Sequence, residues 1–450
     1  MALGEALRAV AEAPPPALEQ FRRELDPAWV EAALAATGTA TLRRRRLPAE
    51  QVVWLVLGMA LYRDRSVVEV AAALDLALPG PRGPRELTAA PSAVCQARAR
   101  LGPDPLAWLF AHSAATWAHA GAAAHRWRGL ALYGVDGTTL RVADTPANRA
   151  HFGDQVAGCG RGVSAYPLAR VVALMALRPH LLAAAECGPY GTSEVRYAAA
   201  LWPHVPDHSL TIVDRNFLAA HLLLPLAAGG AERHWLVRAK SNTRAVAVEH
   251  LGAGDALIDL EVSPHARRAD PTLPRTWRAR AITYERAGGA PQRLLTSLLD
   301  PVRYPAAEVV ALYHERWELE LGYDELKTEL LERREALRSQ SPAAVMQELW
   351  GVLLAYNLVR LAMAHAADAA GLAPTRLSFV GALHLVRDEW LWDTYAAPGA
   401  IPRHLARLRD ALARLVLPER RPERVYPRAV KRKMSNYPRN RPPPSSEAAK

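Results

Sequence analysis

The chain has 450 residues, half of them hydrophobic and 22% charged, a composition that excludes wholesale disorder. Fifty-six Lys and Arg against 45 Asp and Glu give a formal net charge of +11, which favours a polyanionic partner and says nothing about fold. Three cysteines, Cys95, Cys159 and Cys187, lie far apart without metal-type spacing, so a disulfide framework is excluded and a reducing cytosol is the natural compartment.

At about 150 residues per domain the length suggests roughly three domains. The N-terminal stretch MALGEALRAVAEAPPP lacks the apolar core of a signal peptide. Asp26 is a good N-cap for a helix that starts at Pro27. A four-arginine run, Arg43–Arg46, precedes a second helix in which Pro48 stands near the start. Ser66–Leu74 and Ser92–Arg100 suggest two more. Short helices with interspersed arginines to about residue 126 fit either a helical DNA-binding domain or a plain bundle with a basic face.

The period then changes. Leu130–Asp136 is a short apolar run that reads as a buried strand ending at Asp136, followed by Gly137 and two threonines. Pro167–Leu177 and Leu181–Gly188 suggest two strands, and Ser193–Val205 a helix. Ser209–Asp214 reads as another buried strand with an aspartate at its end. Leu218–Ala228 reads as a helix and Trp235–Lys240 as a fifth strand. Three strands, helix, strand, helix, strand predict a mixed sheet with helices packed on it. Residues 241–300 break the pattern with four short β segments, a β insertion. Helical sequence resumes at Ala306, runs to about Leu372, and returns to about Leu417. The apolar run Leu349–Leu372 carries Asn357, Arg360, His365 and Asp368, so no membrane span is expected. From residue 419 onward ten basic residues face three acidic ones, a tail of +7 read as disordered and suited to phosphates.

Asp136 and Asp214 are placed alike, each closing a buried strand from which a carboxylate can leave the core on rigid backbone. Two carboxylates brought together there repel unless a cation neutralises them, and hard oxygen ligands select Mg²⁺ or Mn²⁺. Taken singly, each is equally an ordinary turn residue. In the later helical sequence, Arg316, Glu320 and Lys327 follow Tyr313 by 3, 7 and 14 residues. At about 100° per residue the four fall within about 60° of one another. That face either meets phosphate and metal or is an exposed surface with an Arg316–Glu320 ion pair. No Ser/His or Cys/His hydrolase motif and no Walker pattern accompanies them.

Asp136 in Asp-Gly-Thr-Thr, Asp214 in Val-Asp-Arg-Asn-Phe and the string Tyr313-x2-Arg316-x3-Glu320-x6-Lys327 resemble the DDE transposases of the insertion-sequence-4 type. The resemblance implies a helical N-terminal DNA-binding domain over 1–126 and a ribonuclease-H-like catalytic domain over 127–355. The latter is a mixed α/β sheet with flanking helices and the β insertion at about 241–300. A C-terminal helical region over 356–418 and the tail 419–450 follow. It further implies a DNA transposase that cuts and pastes its element as a homodimer on double-stranded terminal inverted repeats, in a bacterial cytoplasm at the nucleoid. Asp136, Asp214 and Glu320 would be catalytic and hold two Mg²⁺ or Mn²⁺ ions, with Asp136 bridging both. Tyr313, Arg316 and Lys327 would hold the phosphate at the cleaved end. Lys240 and Arg215 would be further DNA contacts, and Trp277 is a candidate platform for a base flipped out during hairpin formation, with an ordinary core residue of the insertion as the alternative. A metal-dependent nuclease without strand transfer and an inactive DNA-binding relic remain as alternatives.

Overall fold

The computed structural model describes residues 25–40, 47–74, 78–80, 83–85, 91–156, 163–285, 291–332, 336–393 and 401–418. The Arg43–Arg46 run, Cys159 and the basic tail from 419 lie outside the described residues.

Helix α1 (Pro27–Ala36) starts as the sequence predicts, with the Asp26 carboxylate accepting the Ala28 N–H at 2.8 Å. Helix α2 (Ala49–Leu61) is apolar all round, and every residue from Val52 to Leu61 is buried. Helix α3 (Val67–Ala73), a small hairpin of β1 (Leu78–Gly80) and β2 (Gly83–Arg85), and α4 (Pro91–Leu101) follow. The 21-residue α5 (Asp104–Ala124) was not singled out by the sequence reading. Its Ala-rich stretch has a broad rather than sharp apolar stripe.

The sheet begins with β3 (Ala131–Val142), and α6 (Pro146–Phe152), β4 (Asp154–Val156), β5 (Val163–Ala176) and β6 (Leu181–Pro189) come next. Then come α7 (Glu194–Leu201), β7 (Ser209–Val213), α8 (Ala220–Ala228) and β8 (Arg233–Arg238). Strands β3, β7 and β8 are parallel neighbours, whereas β5 runs antiparallel to β3, and β6 antiparallel to β5. The central order is therefore β6-β5-β3-β7-β8, the mixed α/β sheet expected of a ribonuclease-H-like core. Its parallel strands are buried, and β7 is buried at all five positions, which is why they read as continuous apolar runs.

The insertion continues this same sheet. Strands β9 (Ala245–Gly252), β10 (Asp255–Glu261), β11 (Thr276–Tyr284) and β12 (Gln292–Thr296) form an antiparallel meander whose β12 pairs with β8. A short helix, α9 (Pro264–Ala269), lies between β10 and β11. The buried Arg280 guanidinium holds the meander together: it donates to both oxygens of Asp255 at 2.7 and 2.5 Å and to the Tyr304 carbonyl at 2.6 Å. Such a pair is tolerated in the interior because its remaining donors are also satisfied.

The helical sequence from Ala306 to Leu372 folds as several pieces. Helices α10 (Ala306–Glu315) and α11 (Trp317–Asp324) meet at a turn on Arg316, and a π-helical segment spans Glu325–Leu330. Strand β13 (Ala336–Leu337) then pairs with β3 at Arg141 and Val142 before α12 (Pro342–Ala369) begins. Helix α13 (Phe379–Asp393) and α14 (Ile401–Ala413) complete the described chain.

Helix α12 is the spine of the molecule. It packs against α2 and α5 on one side and β6 on another, so that the described residues up to Val416 form one compact unit. Gly351 permits the close crossing with α2, since a Cβ there would lie 2.6 Å from Val56. The Asn357 amide grips β6 by accepting the Leu182 N–H at 2.9 Å and donating to its carbonyl at 2.8 Å. Among the described residues α12 is the one helix long and apolar enough to cross a membrane, and 83% of its apolar window is buried inside the protein.

Candidate active site at the end of the parallel strands

The parallel pairing of β3 with β7 ends at Val135 opposite Val213. The next residue on each strand is an aspartate, so the register alone puts Asp136 and Asp214 side by side. The two are not equivalent, however. Asp214 follows its strand and turns into a single 3-10 turn, its carboxylate accepting the Arg215 N–H at 2.6 Å. Asp136 does not close its strand as predicted: β3 continues six residues to Val142, still paired with β5. Apolar content falls after Val135 because β7 has ended there, and that edge of β3 is open until β13 pairs at Arg141.

Burial pushes the Asp136 carboxyl up to about 6, and the nearby Glu194 and Asp214 push in the same direction. The Gly137 N–H, donated to Asp136 Oδ1 at 2.8 Å, and the Arg316 charge pull the other way. Crowded carboxylates of this kind are short of positive charge, and their hard oxygens fit a divalent cation.

Helix α11 is seated on β3 directly beside Asp136. Gly134 leaves the room: a Cβ there would stand 2.6 Å from Leu319 Cδ1 and 2.8 Å from Leu177 Cδ2. The buried Tyr323 hydroxyl donates to the Asp136 carbonyl at 2.6 Å and fixes the helix along the strand. Glu320, one residue after Leu319, shares the charge of Arg316 with Asp136. Its carboxylate is engaged by Arg316 at 2.8 Å, an i,i+4 pair. Arg316 thus stands between Glu320 and Asp136 as the local counter-charge. Among the described residues, no three His, Cys, Asp or Glu side chains are gathered tightly enough to form a metal cluster.

The predicted single helical face over Tyr313–Lys327 is replaced by three segments, since the turn at Arg316 and the π-helix interrupt the 100° period. Tyr313 is buried, which raises its phenol, and it lies within electrostatic range of both Arg316 and Asp214. Lys327 is exposed, and its ammonium reaches back to the Thr138 hydroxyl at 3.4 Å, two residues beyond Asp136. The four residues therefore converge on one region without sharing a regular helix.

Lys240 is placed differently. Its ammonium donates to the Leu218 carbonyl at 3.3 Å, and no described contact joins it to the three carboxylates. It lines a cavity of about 510 Å³ together with His221, Arg244 and Trp277. Trp277 is only 8% exposed and packs on Trp235 with ring centroids 5.1 Å apart, so it is a core residue with one edge on the cavity, not a free platform. Arg215 is exposed beside Asp214.

Two features of the site escaped the sequence reading. Glu194, in the first turn of α7, reaches over Gly137, where a Cβ would meet its carboxylate carbon at 2.8 Å. It is held there by Arg170 on β5 at 2.7 Å, and Arg170 also stacks over Tyr190. A lone arginine inside the apolar run Pro167–Leu177 was the available signal. The second is the anchor of the π-helix. Burial by itself would raise the Glu325 carboxyl, but Arg360 of α12 and His180 outweigh it and hold it down to about 2. His180 also contacts Glu318 at 2.8 Å, so this buried cluster secures both sides of the segment that carries Glu320 and Lys327.

Comparison with known proteins supplies a family. Residues 15–111 match the family model described as insertion element 4 transposase N-terminal, and residues 129–358 match the one described as transposase DDE domain. The chain is 40% identical over 415 residues to the Escherichia coli K12 protein "Transposase InsG for insertion sequence element IS4", covering 92% of each. Among solved structures, a piggyBac transposase synaptic complex with hairpin DNA aligns over 92% of this chain and 88% of its own, at 13% identity and a TM-score of 0.42.

Proposed function

The chain belongs to the insertion-element-4 family of DDE transposases, and from that premise we propose that it binds the terminal inverted repeats of its own element and carries out metal-dependent DNA cleavage and strand transfer. The observation that carries this reading is the register that sets Asp136 beside Asp214, supported by Glu320 on α11 sharing the Arg316 charge with Asp136.

In this proposal Asp136, Asp214 and Glu320 hold two divalent ions, Mg²⁺ or Mn²⁺. Bound there, the ions lower the pKa of an attacking water or 3′-hydroxyl and stabilise the leaving oxygen. The protein residues around them bind and orient the DNA. Arg316 gives up part of its hold on Glu320 to a phosphate oxygen, for which its planar fork is well suited. Lys327 adds a second positive charge from beyond Thr138, and the Tyr313 phenol donates a hydrogen bond from its buried position. Lys240 contacts DNA further along the insertion side. The helical region to residue 126 and the basic tail add DNA-binding surface, and two copies act together on paired ends. The cytoplasm of a bacterium, at the nucleoid, is the compartment that fits these partners.

Cleavage of a supercoiled plasmid carrying the natural flanks of the gene tests the proposal. Mg²⁺-dependent double-strand breaks at the element ends are expected. A salt-sensitive shift of the same DNA with no end-specific cleavage would leave a binding relic, and cleavage without joining to a target would leave a nuclease.

A further inference from the structure

Helix α14 has two sharply different faces. At about 100° per residue, Arg403, Arg407 and Arg414 fall within about 40° of one another. Arg414 stands just past the last helical residue, and its N–H on the Ala411 carbonyl at 3.2 Å continues the winding. Leu408 and Leu412 lie on the opposite side, buried where α14 packs against α12 and α13. Arg403, Arg407 and Arg414 are exposed, as is Arg409, which lies away from the stripe beside the buried face.

Some exposed arginines in this chain take carboxylate partners, as Arg128 does with Glu308, Arg278 with Asp259 and Arg303 with Glu232, whereas others such as Arg196 and Arg275 stand singly among the described residues. None of the four on α14 joins a described ion pair, although Asp410 lies within the stripe. The face therefore keeps a net positive charge of uncommitted guanidinium groups. Five residues after Arg414, the sequence enters the stretch from 419 to 450, in which ten basic residues face three acidic ones. Asn and Gln, the side chains that read adenine, are missing from α14 itself.

We propose that the outer face of α14 is a docking surface for the phosphate backbone of duplex DNA. The proposal rests on the transposase reading only in taking DNA as the partner. Arginine forks match phosphate oxygens, each neutralised phosphate releases condensed counterions, and contacts to phosphate carry no sequence information.

The test is the salt dependence of binding to a random-sequence duplex, with the full-length triple variant Arg403→Gln/Arg407→Gln/Arg414→Gln against the wild type. Three lost phosphate contacts are expected to make the slope of log K against log salt less negative by about 2.7. Asp410→Lys is expected to make it steeper by about 0.9. Circular dichroism is expected to be unchanged in both, because the substituted side chains are exposed. An unchanged slope and affinity in the triple variant would overturn the proposal. So would a loss confined to terminal-repeat DNA, since that would mean base reading. The transposase reading fails by a separate observation, a wild type that neither prefers nor cuts terminal repeats, and that result leaves the slope comparison on random duplex intact.

Discussion

Gly134→Ala tests how α11 is seated. The added methyl would meet Leu319 Cδ1 at 2.6 Å, Leu177 Cδ2 at 2.8 Å and Leu319 Cγ at 2.9 Å, where ordinary contact begins near 3.4 Å. Relief requires a movement of about 0.8 Å, and the interior is packed too densely to absorb it locally. Overpacking of this kind costs about 1–3 kcal/mol. Leu319 sits next to Glu320, so the same movement displaces a carboxylate of the site, and a misplacement of about 1 Å can cost about a hundredfold in rate. Leu319→Ala alone is expected to cost about 2–5 kcal/mol as a cavity. The double variant places the new methyl in that cavity, so its total should fall short of the sum of the two single changes by about 1–2 kcal/mol. Urea denaturation of the four proteins measures the stability cycle, and end cleavage measures the rate. Additive stabilities would refute the close approach of α11 to β3, and an unimpaired rate in Gly134→Ala would refute its role in delivering Glu320.

Three further outcomes follow from the structure. Glu194→Gln removes one of the charges that push Asp136 up, so the Asp136 carboxyl should titrate lower in the metal-free protein, as followed by carboxyl NMR; an unmoved titration would separate Glu194 from the site. Glu325 is held at about 2, below its ordinary 4.5, so its contribution to stability is fully present above pH 4.5 and lost as pH falls through 2. At about 1.4 kcal/mol per unit that is about 3 kcal/mol, and Glu325→Gln should flatten the acid limb of a urea midpoint against pH profile. Asn357→Leu leaves the Leu182 N–H and carbonyl buried without their partner and should cost about 2–4 kcal/mol, measured by thermal unfolding.

Much of the fold could be read from periodicity. The strands at Leu130, Pro167, Leu181, Ser209 and Trp235 are legible because buried strands of the central sheet, parallel or antiparallel, are continuous apolar runs. What periodicity could not show was partnership. Nothing in the sequence says that the insertion extends the main sheet through β12, or that β3 runs on past Asp136 along β5. The helical face over Tyr313–Lys327 was drawn at one fixed angle per residue, which a turn and a π-helix then broke, because Glu325 is drawn to Arg360 from a helix far along the chain. Glu194 was hidden for a related reason: an acid in the first turn of a helix is ordinary, and only the fold lays it over Gly137.

The central claim is that β3, the end of β7 and α11 together build one centre from Asp136, Asp214 and Glu320. Its most direct test compares Asp136→Asn, Asp214→Asn and Glu320→Gln with the wild type, measuring Mg²⁺-dependent end cleavage beside binding of the terminal-repeat duplex. The account predicts that each variant loses cleavage by at least about a hundredfold while still shifting the duplex. Cleavage within tenfold of the wild type in any one of them would remove that residue from the centre and contradict the account.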